Sequence, residues 1–112
     1  MSDLGKRGEE MARLFLERQG LKVLETNWRF KHLELDLIGM DGKVLVFVEV
    51  KLRGRGEFVE IHKILSKEKK QRLSRAAQAY LRISSFEGEI RFDLVTFIEN
   101  KVNYIRDAFW NY

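Results

Sequence analysis

The segment from Leu33 to Arg53 constrains the fold of this chain most, because it has the pattern of a β-hairpin. Its two arms, Leu33 to Met40 and Lys43 to Leu52, are rich in Val, Leu, Ile and Phe, a composition typical of strands. The Asp41-Gly42 pair between them is a strong signal for a two-residue turn, since such turns need positive φ at their central positions. We therefore predict two antiparallel strands joined at this pair.

Charged side chains interrupt both apolar arms. If Met40 faces Lys43 across the turn, then Asp36 faces Phe47 and Glu34 faces Glu49. A four-residue loop would shift these pairs and keep the side chains on one face, whereas a three-residue loop would flip one strand. Most registers therefore place four charged residues on one face: Glu34, Asp36, Glu49 and Lys51.

Carboxylates placed so close repel one another, because directly opposed residues have Cβ atoms roughly 5 Å apart. A divalent cation with oxygen ligands would compensate, and Mg²⁺ is usually held by one or two carboxylates with water and substrate phosphate. We therefore expect Mg²⁺ or Mn²⁺ at Asp36 and Glu49. The alternative is an exposed strand face on which Glu49 and Lys51 merely flank each other and Glu34 is solvated.

The first helix offers a third carboxylate. Gly20 is a good C-terminal stop for this helix. The residues of its apolar face recur at helical spacing and are Leu4, Gly8, Met11, Ala12, Phe15 and Leu16. Glu9 lies at the border of this apolar face, where it can reach under the helix toward the sheet. The alternative is an amphipathic helix in which Glu9 only favours the N-terminal dipole.

Several strings of residues, at matching intervals over nearly the whole chain, resemble the uncharacterised bacterial YraN-like family. They are Gly5-Lys6-Arg7-Gly8-Glu9-Glu10-Met11-Ala12, Asn27-Trp28-Arg29, Glu34-Leu35-Asp36-Leu37-Ile38, Phe47-Val48-Glu49-Val50-Lys51 and Arg91-Phe92-Asp93. That family is similar to the PD-(D/E)XK nuclease superfamily, most closely to small archaeal Holliday-junction resolvases. Asp36 followed by Glu49-x-Lys51 matches the superfamily signature, and Glu9 matches its first-helix glutamate. One position departs, since Leu33 stands where the family pattern has Gly, and a leucine there would narrow the approach of a DNA backbone.

The resemblance implies a metal-dependent nuclease. Asp36 and Glu49 would be the primary ligands of Mg²⁺ or Mn²⁺, and Glu9 would act through water or a second metal. Lys51 would orient the nucleophile or stabilise charge on the phosphate, and Glu34 would lie just behind the ligands. The substrate would be DNA, including branched or repair intermediates. The alternatives are a nucleic-acid-binding module on the same fold that does not cut, and a protein-binding domain with no nucleic acid.

Positive charge is concentrated beside the proposed site. From Lys51 to Arg82 there are ten Lys or Arg against three Glu, a net +7 in a chain whose total is +4. Such a block is expected of a nucleic-acid surface, although a charge-rich helix can also be a solvated face. We expect phosphate contacts at Arg53 and Arg55 in a glycine-containing loop, at Lys67 and Lys70 on the second helix, and at Arg29 beside Trp28.

The remaining patterns complete the predicted fold. A strand from Leu21 to Asn27 precedes the hairpin, and a helix follows Ser66 as N-cap. The strands Ile90 to Glu99 and Lys101 to Ile105 pair antiparallel, and Asp93 is structural and paired with an arginine. The element order αβββαββ then fits an α/β restriction endonuclease-like sandwich, a mixed sheet with a central antiparallel hairpin flanked by helices, as one domain over residues 1–112. The aromatic C-terminus suits packing on the sheet or a homodimer contact.

Cysteine is absent and only two histidines occur, which disfavours disulfides and zinc. The charged N-terminus has no signal-peptide core, and no segment approaches transmembrane length. We therefore expect a cytoplasmic protein with no membrane partner.

Overall fold

A mixed five-stranded sheet forms the centre of the protein. The computed structural model describes residues 3–53, 64–98 and 101–109, with side chains at 7–52 and in the two later ranges. In chain order the elements are α1 (Asp3–Arg18), β1 (Lys22–Phe30), β2 (Leu33–Asp41), β3 (Val44–Arg53), α2 (Lys67–Ser84), β4 (Ile90–Ile98) and β5 (Lys101–Ile105). The predicted α/β class and αβββαββ order are confirmed.

The strands lie in the sheet in their sequence order, β1-β2-β3-β4-β5. β1, β2 and β3 form an antiparallel meander, and β4 and β5 pair antiparallel. β3 and β4 are parallel because α2 lies between them in the chain and carries the connection back along the sheet. The open end of the central hairpin therefore lies beside the start of the long connection between β3 and β4.

The two helices cover opposite faces of the sheet, which gives a sandwich with two cores. On one face α1 buries Ala12 and Leu16 against Leu37, Val46 and Val48. Met11, expected on the buried side of α1, is 48% exposed, so this part of the prediction is wrong. Phe15, four residues after Met11, is itself only half-buried, so the buried stripe of α1 is narrower than its apolar stripe.

On the other face α2 buries a stripe of small and apolar residues, with Leu73, Ala76 and Tyr80 among them, against Ile38 and Phe47. The predicted N-cap is confirmed, since Ser66 Oγ accepts a hydrogen bond from the backbone nitrogen of Lys69 at 3.2 Å. This cap fixes where α2 begins, and with it the position of the side chains in its first turn.

The hairpin is confirmed, but its register differs by two residues from the predicted one. Asp41 pairs with Val44, so Gly42 and Lys43 form the turn, and Phe47 lies opposite Ile38 instead of Asp36. Gly42 has a φ of +60°, which a residue without a Cβ adopts without strain. The glycine therefore occupies the first central position of the turn, and Asp41 remains in the strand.

Asp93 is the structural anchor that the sequence predicted. Its carboxylate receives two hydrogen bonds from Arg91, at 2.8 and 2.9 Å, and one from the Tyr104 hydroxyl at 2.5 Å. The backbone nitrogen of Asp107 donates a further one at 2.9 Å, and Arg91 also reaches Asp41 at 2.9 Å. This network ties β4 to the hairpin turn and to the end of β5.

Within the described residues, neither helix is long and apolar enough to cross a lipid bilayer.

Candidate metal centre

β2 and β3 separate at their open end, and Asp36 lies in the gap. The last paired residues of this ladder are Leu37 and Val48. Beyond them the backbone nitrogen of Val50 donates a hydrogen bond to Asp36 Oδ2 at 2.9 Å. A carboxylate oxygen thus satisfies a donor that a regular ladder would pair with a backbone carbonyl. This bond fixes the Asp36 side chain against β3.

β2 changes the direction of its side chains at Asp36. Leu35 packs in the core under α2, whereas Leu37 packs in the core under α1. Residues two apart in a regular strand share a face, so the backbone rotates between them. Across from this point is Asn27, which has a φ of +53° and lies between the pairs Trp28–Leu35 and Thr26–Leu37. Asn tolerates the left-handed region better than most residues, which allows the irregularity here.

Glu49 is buried and in contact with Asp36. Glu49 is 5% exposed, and its carboxyl group forms a hydrogen bond with the carboxyl group of Asp36. Burial is the main cause that raises the pKa of Glu49, to about 8, and the hydrogen bond and charge of Asp36 raise it further, against the lowering effect of Lys69. Two carboxyl groups in a hydrogen bond share a proton, so the raised pKa of Glu49 describes the pair.

Lys69 of α2 faces Glu49 from the other layer. Its Nζ lies 3.0 Å from Glu49 Oε2. The two form an ion pair at that distance, but within the described residues Oε2 accepts no hydrogen bond of acceptable geometry. A buried carboxylate oxygen with spare capacity is therefore available to a further cation.

A cavity of about 310 Å³ opens on the α1 side of the gap. It is lined by Gly8, Glu9, Asn27, Arg29, Glu34, Asp36, Val50 and Leu52. Gly8 allows α1 to approach the sheet here, because a Cβ at this position would overlap the Leu52 side chain. Burial is the first cause that raises the pKa of Glu9, and the Asp36 charge is the second, while Arg29 lowers it. Glu9 and Asp36 therefore belong to one electrostatic cluster.

The four charged residues of the hairpin do not share one face, which corrects the prediction. Glu34 lines the cavity on the α1 side and also borders a smaller pocket next to the start of α2, whereas Glu49 faces α2 through Lys69. Val48, Val50 and Leu52 pack toward α1, so alternation puts the half-buried Lys51 on the α2 side with Glu49. Asp36 lies between the two sides because β2 rotates there. The site is thus a gap open to both layers, with Glu9 on one side, Glu49 and Lys51 on the other, and Glu34 at the border of both.

Residues 8–97, which contain all of these side chains, match the model of the Uncharacterised protein family UPF0102. The chain belongs to this family. A UPF0102 protein of Chlorobium chlorochromatii is 37% identical over 96% of this chain and 92% of its own length. UPF0102 proteins of Janthinobacterium sp. and Halorhodospira halophila are 39% and 44% identical, over 93% and 94% of this chain and 85% of each relative. The predicted family is confirmed, and a nuclease superfamily assignment is compatible with it.

The carboxylates of this UPF0102 chain fit a metal site in which the protein supplies only one or two of the ligands. Among the described residues, no group of three or more Asp, Glu or His side chains converges closely enough to enclose a metal ion. Asp36 and Glu49 are in contact, however, and Mg²⁺ needs only one or two protein carboxylates when water and phosphate fill the other positions. Glu49 Oε2 accepts no hydrogen bond of acceptable geometry from the described residues, and the Lys69 ammonium is the cation that faces it there.

The residues predicted to contact nucleic acid are dispersed. Arg29 is exposed at the α1-side cavity, with its Nε 3.6 Å from Glu34 Oε2. Lys67 is exposed, and Lys70 Nζ lies 6.0 Å from the centre of the Phe109 ring. The Arg53 side chain and the whole of Arg55 lie outside the described residues.

Lys69 is the site residue that the sequence prediction missed. The sequence feature that indicates Lys69 is its spacing, since it lies four residues before Leu73 and seven before Ala76, on the buried stripe of α2. A lysine on a stripe that packs on a sheet needs an acidic partner, and Glu49 is that partner.

Proposed function

We propose that this UPF0102 protein is a metal-dependent nuclease that hydrolyses phosphodiester bonds in DNA. One observation carries the proposal: the carboxyl groups of Asp36 and Glu49 touch where β2 and β3 separate, and a buried Glu49 oxygen there accepts no hydrogen bond from the described residues. Such an arrangement is unfavourable for the protein alone and becomes favourable with a divalent cation. Perturbed, buried carboxylates beside a cavity are also a general mark of functional sites.

Asp36 and Glu49 would hold Mg²⁺ or Mn²⁺, which supplies a Lewis acid for the phosphate and a bound water of lowered pKa. The Val50 N–H keeps Asp36 Oδ2 in place, so Asp36 is oriented before a ligand arrives. Glu9 reaches the same cluster through the cavity and would bind a water or a second ion. Lys51, on the Glu49 side of β3, would orient the attacking water or stabilise charge that develops on the phosphate.

The shared proton makes this activity dependent on pH. Glu49 must lose its proton before both carboxylates can hold a divalent cation, because metal ligands bind in their deprotonated form. Its pKa of about 8 implies that metal affinity increases as the pH rises toward 8 and becomes constant above it. A cation that lowers this pKa shifts the rise to lower pH.

A second candidate is a nucleic-acid-binding module that does not cut. It is favoured by the lack, among the described residues, of three convergent carboxylates, and by the ion pair that already engages Glu49. In that case Lys69 would be the permanent counter-ion of the acidic pair. The two candidates differ in one property, which is turnover in the presence of metal.

The test is cleavage of labelled single-stranded, duplex, forked and four-way DNA, and of RNA, with Mg²⁺, Mn²⁺ or chelator. We expect cleavage only with metal, and a loss of about 100-fold or more in Asp36→Asn and Glu49→Gln. Lys51→Ala should abolish cleavage and lower DNA affinity only slightly, because it removes the lysine on the Glu49 side of β3 and only one of ten cations in the basic block.

The matched control is the pair Glu9→Gln and Glu10→Gln. The two residues are adjacent on α1, but Glu9 lines the cavity and Glu10 is exposed and ion-paired with Arg13. Glu9→Gln should reduce cleavage at least tenfold, and Glu10→Gln should leave it unchanged. Equal DNA binding by wild type and all variants, with no cleavage of any substrate, would reject catalysis in favour of the binding module.

A further inference from the structure

A row of aromatic rings runs from the core to the turn between β1 and β2. The edge of Tyr80 on α2 meets the Trp28 ring at 5.3 Å between centroids, with an interplanar angle of 85°. Phe30 stacks on Trp28 at 6.3 Å and 16° and is 36% exposed. Lys31 Nζ lies 5.4 Å from the centre of the Phe30 ring. The exposed ring is therefore held rigidly by a tryptophan that is itself packed on a helix.

A small basic pocket lies between the same turn and the start of α2. Its volume is about 50 Å³, and it is lined by His32, Leu33, Glu34, Lys69, Arg72 and Leu73. Glu34 is paired with Arg29 at 3.6 Å, and Lys69 is paired with Glu49. Within the described chain, Arg72 and His32 make no ion pair, so they offer uncompensated donors.

Leu33 contributes to this pocket in a way that the sequence did not predict. It was expected to narrow the approach of a DNA backbone. Its half-buried side chain packs toward the core under α2 and lines the pocket with Leu73. The two leucines therefore give the pocket an apolar part beside its polar side chains.

We propose that this turn and the first two turns of α2 form a subsite for one unpaired nucleotide, with its base on Phe30 and its phosphate between His32 and Arg72. A base inside a duplex is covered on both faces, so only an unpaired one can stack on a fixed ring. Lys31 is exposed and its contact with Phe30 is weaker than base stacking, so a base displaces it and leaves its ammonium free for a phosphate.

The subsite adjoins the candidate metal centre. Lys69 lines the pocket and contacts Glu49, and Glu34 borders both the pocket and the cavity that contains Asp36. A strand held at the subsite would present a neighbouring phosphodiester to the carboxylates. This delivery step rests on the proposed nuclease function, whereas binding of the nucleotide does not.

Binding of fluorescent twelve-nucleotide dT and rU oligomers, measured by anisotropy with chelator present, tests the nucleotide subsite separately from the nuclease function. We expect each variant at the subsite to bind the preferred oligomer less tightly, about tenfold less for Phe30→Ala. Arg72→Gln should weaken binding several-fold and reduce the slope of log affinity against log salt by about one. The oligomer bound more tightly shows whether the subsite prefers thymidine deoxyribonucleotides or uridine ribonucleotides.

Each substitution has a control in the same element. Leu24 is also on β1 and 42% exposed, and Arg82 is exposed in the last turn of α2, so Leu24→Ala and Arg82→Gln should change the affinity less than twofold. Phe30→Leu keeps an apolar side chain without the aromatic face and should bind like Phe30→Ala, which covers the case of a poorly folded alanine variant.

Unchanged affinity in Phe30→Leu, or equal losses in Phe30→Ala and Leu24→Ala, would overturn the subsite. So would duplex DNA bound as tightly as the oligomers. Loss of binding in the Phe30 variants without any cleavage by wild type would support the subsite while rejecting the nuclease. Cleavage together with unchanged oligomer affinity in the Phe30 variants would support the nuclease while rejecting the subsite.

Discussion

At the scale of single residues, the proton shared by Asp36 and Glu49 governs the site. Burial and the neighbouring carboxylate raise the pKa of Glu49 to about 8. In the unfolded chain the same carboxyl group titrates near 4.3. Between these two values the folded protein holds a proton that the unfolded chain has released, so the folded state loses stability there as the pH rises.

Glu49→Gln should remove this pH dependence. Glutamine has the shape of a protonated glutamate and can donate a hydrogen bond to Asp36 at any pH. At pH 5 and below, the variant should unfold with a free energy close to that of wild type. At pH 9 it should be more stable than wild type by about 1 to 3 kcal/mol.

Urea unfolding at pH 5, 7 and 9 measures this difference. Glu87→Gln, at an exposed position after α2, is the control and should follow wild type at every pH. Parallel stability curves for wild type and Glu49→Gln would show that Glu49 is ionised in the folded protein.

At the scale of elements, the rotation of β2 at Asp36 creates the gap. The sequence predicted both strands of the hairpin and the pairing of β4 with β5, because apolar runs and turn residues set these locally. It did not predict the two-residue register difference, which depends on which central turn position Gly42 occupies. Nor did it predict the rotation, since strand alternation assumes a regular pleat. The left-handed φ of Asn27, opposite Asp36, is a property of the paired strands and not of either sequence alone.

Asn27 gives a test of that irregularity. Asn27→Ala should destabilise the fold by about 1 kcal/mol, because a Cβ without a compensating polar group is unfavourable in the left-handed region. Asn27→Gly should stay within about 0.5 kcal/mol of wild type, since glycine adopts positive φ freely. Chemical denaturation checks both values, with the exposed neighbour Thr26→Ala as control. Similar losses for alanine and glycine would contradict the positive φ at this position.

At the scale of the whole molecule, two cores and one polar network hold the site in place. α1 and α2 cover opposite faces, and each brings one charged residue to the gap, Glu9 from α1 and Lys69 from α2. Sequence patterns predicted this layering and the role of Asp93, because both follow from burial. They missed Lys69, because its role depends on Glu49, which is remote in sequence.

Within the polar network, Asp93 should contribute far more to the stability of the fold than Asp41, its exposed member. The Asp93 side chain is fully buried and holds Arg91 and Tyr104, whereas that of Asp41 is 45% exposed. Asp93→Ala should cost about 3 to 5 kcal/mol, since it leaves a partly buried guanidinium without its main partner. Asp41→Ala should cost less than about 1 kcal/mol. Equal losses of unfolding free energy would show that the network is not centred on Asp93.

Binding of Mn²⁺ followed by NMR tests the central claim most directly, because the paramagnetic ion broadens only the signals of nearby nuclei. At pH 8 to 9 the account predicts broadening of backbone amides at Asp36, Leu37, Val50 and Lys51, and more weakly at Glu9. Asp36→Asn should abolish that pattern. Broadening confined to exposed carboxylates such as Glu87 and Glu89, or an unchanged pattern in Asp36→Asn, would contradict a metal centre between β2 and β3.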